Sequence, residues 1–168
     1  LVSKIYNEMN RLNSRVNRNF SGIDTQLSRR HAVIKKLVSS VDAEQKNVIN
    51  QFEALTNLVQ KANLQRGNQQ AFLDTENQIS RMWNQILNLP QLKSIRGFQD
   101  LNKQIAEIEE EIAAARRTYN DSVERFNTYL VSFPAGFIAQ LLFKQFQEKA
   151  YFQATAEERQ DSDIDFNF

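Results

Sequence analysis

The 168-residue sequence has no cysteine, which excludes disulfide scaffolds, thiolate metal sites and cysteine nucleophiles. It has one histidine, His31, so a multi-histidine metal site is excluded and any serine triad is confined to that imidazole. Four glycines and two prolines are too few to punctuate an all-β fold. No uninterrupted apolar run reaches the ~18 residues of a membrane-spanning helix. Gly-rich phosphate loops, nucleophile elbows and zinc motifs are also missing.

What is present favours long polar helices. Asn and Gln together number 34. Net charge is +1 but unevenly spread: +6 over residues 1–41, −1 over 42–147 and −4 over 148–168. A chain of this length reads as one domain on a prior of about 150 residues each. Because it starts at Leu1, the natural start, with any signal or anchor, is expected to precede it.

Apolar periodicity sets the elements. Leu101, Ile105, Ile108, Ile112, Ala115, Tyr119, Val123, Phe126 and Leu130 recur at the α-helical period for about eight turns. Ser94 is the expected N-cap of that helix, and Phe133-Pro134 ends it, since the residue before proline avoids the α region. Ile5, Met9, Leu12, Val16, Phe20, Ile23, Leu27, Ile34, Leu37 and Val41 form an N-terminal stripe that misses a beat at Arg30 and His31, with Gly22 as a candidate kink. Ser39 and Asp42 are N-cap candidates for a second helix carrying Val48, Phe52, Leu55, Val59 and Ala62. Gly67-Asn68 reads as a stop and a new cap. A third helix carries Phe72, Ile79, Met82, Trp83, Ile86 and Leu87. The expectation is an all-α, up-and-down antiparallel four-helix bundle with a very long first helix, a short C-terminal helix and an acidic tail. The helices fall at about 2–40, 42–66, 69–88, 95–132 and 135–147, in one domain over 1–152, followed by a flexible tail over 153–168.

Chemistry-bearing groups are sparse. His31 reads either as a base or pH sensor or, in preference, as a core-edge histidine hydrogen-bonded to a neighbouring helix. Arg30, in the vacant beat, needs a partner; Asp24, Glu109, Glu110 and Asp121 are the candidates, and a register-setting ion pair is preferred to an anion site. Glu107 and Glu109 to Glu111 read as a solvated face, because a dimetal bundle site needs a Glu-x-x-His motif that is missing. No catalytic, cofactor or metal residues are assigned. Arg11, Arg15 and Arg18 recur on one side of the first helix; a domain-wide basic excess and a helix-turn-helix pattern for nucleic acid are missing, an anionic membrane surface fits as well, and a solvated face is the preferred reading. Phe137, Leu141 and Phe146 lie in an apolar segment that could grip a partner helix, enter a membrane interface or cap its own bundle. Tyr119 and Asn120 are expected to pack and hydrogen-bond between helices.

Several fragments together resemble the LemA family. They are Tyr6-Asn7, then Phe20-Ser21-Gly22-Ile23-Asp24-Thr25-Gln26-Leu27-Ser28-Arg29-Arg30 leading into Leu37-Val38, and Leu89-Pro90-Gln91-Leu92-Lys93 with Phe98 and Leu101. The most specific is Ile112-Ala113-Ala114-Ala115-Arg116-Arg117-Thr118-Tyr119-Asn120-Asp121-Ser122-Val123, followed by Phe126-Asn127, Phe133-Pro134 and Tyr151-Phe152. Phe20, Gly22 and Lys35-Lys36 depart from the residues usual in the family. The resemblance implies a helical bundle on the cytoplasmic side of a bacterial membrane, behind one N-terminal spanning helix, which the basic residues 4–36 would follow on the inside. It implies no catalytic residues. The expected function is a membrane-tethered, non-enzymatic interaction or scaffolding module with a protein partner. The alternative is a lipid-surface module using Arg11, Arg15, Arg18, Lys35 and Lys36 with Phe137, Leu141 and Phe146. An enzyme using His31 is disfavoured.

Overall fold

A computed structural model describes residues 1–39, 46–65, 68–95 and 97–152, and among them there are five α-helices and no strand. The helices are α1 (Val2–Ser39), α2 (Lys46–Leu64), α3 (Gln69–Leu87), α4 (Phe98–Leu130) and α5 (Ala135–Leu142), with a short 3-10 helix over Pro90–Ser94. Within the span expected as one domain the chain forms two compact units. One combines Leu1–Gln26 with Glu110–Phe152; the other comprises Leu27–Glu109.

The apolar stripes become the cores. In the first unit Ile5, Met9, Leu12, Val16 and Ile23 are buried, as are Ile112, Tyr119, Val123, Phe126 and Leu130. In the second unit Leu27, Val33, Ile34 and Leu37 are buried, with Leu55, Phe72, Ile79, Trp83, Ile86, Ile105 and Ile108. Phe20, Ala115 and Leu101 are only half-buried, and Arg116 takes a buried place beside Ala115. α2 packs against α3, and Thr75 Oγ1 donates to Gln65 Oε1 at 2.5 Å between them.

Helix ends depart most from expectation. Asn68 does cap α3: its side chain accepts from the amide of Ala71 at 3.2 Å while its backbone stays extended. Ser94 does not start α4. It closes the 3-10 helix, and α4 begins at Phe98 behind Gly97, whose φ of +79° a residue with a Cβ adopts only with strain. Ser39 is the last residue of α1, its hydroxyl donating to the carbonyl of Lys36, so it is not a cap for α2. Gly22 does not interrupt α1. Val41, Asp42, Gly67, the side chains of Val48 and Phe52, and the tail over 153–168 lie outside the described residues.

The chain leaves α4 at Leu130, and Gln140 Nε2 donates to that carbonyl at 2.7 Å, satisfying an acceptor the helix itself leaves open. The Phe133–Pro134 peptide is cis. Gly136 packs so closely that an added Cβ would fall 2.7 Å from the carbonyl oxygen of Tyr129 and closer still to that of Leu130. α5 stops at Leu142, not near residue 147; beyond it the chain is irregular and largely extended to Phe152.

Candidate functional site

Two polar arrangements stand out, one in each unit. In the second unit Arg30 fills the vacant beat of the α1 stripe and is fully buried. Its Nη2 donates to Glu76 Oε2 at 2.5 Å and to the Glu76 carbonyl at 3.0 Å. Its Nη1 donates to Glu109 Oε1 at 3.0 Å and to the hydroxyl of Ser80. One guanidinium thereby joins α1, α3 and α4, using the fixed fork of donors that distinguishes arginine from lysine. Glu76 is fully buried as well, and His31 Nε2 lies 2.7 Å from its Oε1. The contact is close enough for electrostatic attraction, although it is not aligned as a hydrogen bond.

Burial drives the Glu76 carboxyl upward, but the close His31 ring and the Arg30 charge outweigh it and hold the group below the usual carboxylate range. Burial likewise disfavours the Arg30 cation, and Glu109 and Glu76 more than restore it, so its pKa is raised. Among the described residues Arg30 Nε and the indole N–H of Trp83 have no hydrogen-bond acceptor.

In the first unit, side chains of α4 hold the backbone that follows α5. Asn127 donates to the Lys149 carbonyl at 2.9 Å and accepts from the Lys149 amide at 2.9 Å. Asn120 treats Phe152 the same way, at 2.8 and 2.9 Å. Between them the Tyr119 hydroxyl donates to the Ala150 carbonyl at 3.0 Å, and burial pushes that phenol's pKa up to about 12. Tyr6, Phe143, Phe146 and Phe126 form a connected ring cluster, with Tyr6 and Phe143 centroids 5.0 Å apart.

The sequence-derived candidates therefore separate. Arg30 and His31 come together, and of the four candidate carboxylates only Glu109 reaches Arg30; Glu76 and Ser80 were not among the candidates. Glu107, Glu110 and Glu111 are exposed. Arg11, Arg15 and Arg18 are exposed on α1, but Arg11 is tied to Glu8 at 2.6 Å. Phe137 and Leu141 are 63% and 64% exposed, whereas Phe146 is only 6% exposed and cannot belong to an exposed wedge with them. Phe133, Val131 and Leu142 join that apolar surface instead. Tyr119 packs across helices on the Phe20 ring of α1, centroids 6.0 Å apart, while its hydroxyl and the Asn120 carboxamide bond to an extended segment, a partner that helical spacing does not reveal.

The fold and these arrangements define an all-α protein whose buried ionic groups bind one another and whose exposed candidate surface is apolar. The chain belongs to the LemA family, whose profile matches residues 19–166, nearly the whole length. No curated protein matches it.

Proposed function

We propose that this chain is a membrane-tethered, non-enzymatic interaction module, built as an up-and-down antiparallel four-helix bundle, that docks a protein partner at the cytoplasmic face of a bacterial membrane. Family membership supports the helical character and the membrane association. No helix among the described residues is long and apolar enough to cross a membrane. The observation that carries docking is the apolar face of α5: Phe137 and Leu141, four residues apart on the helix, stay exposed together with Leu142 at its end, and Val131 and Phe133 are exposed in the turn that leads into it. Clustered exposure of that kind marks contact surfaces on soluble domains. The groups best suited to acid–base work, His31 and Glu76, are committed to Arg30 and to each other.

The test is a photo-crosslinking residue placed at Phe137 or Leu141 of the anchored, full-length protein in native membranes. One recurrent protein adduct at these sites, and none at Lys36, is the expected result. No adduct at all would sink the docking reading. Adducts confined to lipid would favour the second reading, in which exposed Arg15 and Arg18 supply charge and α5 an apolar wedge. Flotation with anionic vesicles would then fall as salt rises.

A further inference from the structure

Asn120 and Asn127 stand seven residues apart on α4, a rise of about 10.5 Å at 1.5 Å per residue. The residues they hold, Lys149 and Phe152, are three apart in extended chain, a span of about 10 Å. The two periods match, with the segment running antiparallel to the helix. Each carboxamide binds both the N–H and the C=O of one residue, a contact blind to the side chain, and Tyr119 adds a third backbone contact between them. Side-chain burial is deepest at the ends of the stretch. Phe146 is buried edge-on to Phe126, their centroids 6.3 Å apart, and Phe152 is 3% exposed, while Gln147, Glu148, Ala150 and Tyr151 between them face solvent.

We propose that the Tyr119, Asn120 and Asn127 face of α4 is a peptide-binding site for an extended segment of a partner protein carrying two aromatic residues six positions apart, and that residues 143–152 occupy it in cis as a competing strap. The strap's own chemistry specifies the ligand. The strap also lies outside the helices, and beyond Phe143, whose amide donates to the Ala139 carbonyl at the end of α5, it can leave while α4 and α5 keep their hydrogen bonds. It is an imperfect occupant: Lys149 sits over the Phe126 ring, 4.7 Å from its centroid, and desolvation there pulls its pKa down, a penalty that an uncharged residue at that position would not carry. Tethered occupancy corresponds to an effective concentration of order mM, so the site answers only to a ligand that outcompetes its own chain. The site is independent of the exposed α5 face.

The test uses the whole chain and a fluorescein-labelled peptide of residues 143–152, read by anisotropy. Wild type should bind weakly, and Phe152→Ser, which loosens the strap, about tenfold or more tightly. Adding Asn120→Ala and Asn127→Ala should abolish binding. Replacing Gln147, Glu148, Lys149 and Tyr151 of the peptide, between Phe146 and Phe152, by alanine should leave it intact, and Phe137→Ser with Leu141→Ser should not touch it. A helical Phe152→Ser protein that ignores the peptide overturns the proposal. Should that variant fail to fold, amide exchange of the wild type decides. The Lys149 and Phe152 amides should exchange about a hundredfold faster than those of Val123 and Phe126 through local opening. Exchange at the core rate would show that the strap opens only on global unfolding and would overturn the proposal.

Discussion

Arg30 carries the heaviest single consequence. Removing its charge by Arg30→Met leaves Glu76 ionised and buried, which costs about 3–5 kcal/mol. Urea denaturation should show that loss, and Arg30→Met with Glu76→Leu should recover much of it, because a buried pair replaced by apolar groups of similar volume is often near neutral. Acid acts on the same cluster. Glu76 is held below the ordinary carboxylate value of 4.5, so its contribution is complete above that value and is lost as pH falls through the lower native pKa. The urea midpoint should drop on acidification below about pH 4.5, and Glu76→Gln, already destabilised, should flatten that limb. Half of this cluster was legible. The first stripe skips from Leu27 to Ile34, and only a paired cation can fill such a gap; Glu109 followed as a partner. The third stripe skips from Phe72 to Ile79 in the same way, and Glu76 sits in that gap. Reading the two gaps together identifies the pair; reading each helix alone does not.

At the scale of elements, the long helices follow from apolar spacing, since burying one stripe per helix needs nothing more than a 3.6-residue period. Their ends do not. Phe143 and Phe146 extend the aromatic pattern beyond Leu142, yet ring contacts with Tyr6 and Phe126 half-bury the first and bury the second, which helical geometry does not require. The α4–α5 corner depends on a glycine that no periodicity marks. Gly136→Ala drives a methyl into the last carbonyls of α4, and the overpacking should cost about 1–3 kcal/mol. A lowered thermal midpoint with unchanged helix content is the expected signature, seen by circular dichroism. Relief by Gly136→Ser would contradict the steric account, because serine carries the same Cβ.

For the whole molecule, the exposed and the buried candidates should behave oppositely. Phe137→Ser with Leu141→Ser removes apolar surface that already faces solvent, so stability should stay within about 0.5 kcal/mol of wild type while partner crosslinking is lost. Phe146→Ser removes a buried ring and should destabilise by a few kcal/mol, about what truncating a core phenylalanine costs. Composition and spacing established the helical class, and motif order established the family. Neither carried the division between Phe137 and Phe146, because two aromatic residues nine positions apart in one apolar segment look alike until the fold turns one inward.

Trp83 gives the molecule an optical property of its own. It is the sole tryptophan, 1% exposed, and it lies on α3 three residues beyond Ser80 of the arginine cluster. Its emission should therefore be blue-shifted in the native state and report on the Leu27–Glu109 unit alone. The tyrosines Tyr6, Tyr119, Tyr129 and Tyr151 all belong to the other unit. Excitation at the red edge of the absorption band selects Trp83 and so follows the melting of its own unit in a single unlabelled sample.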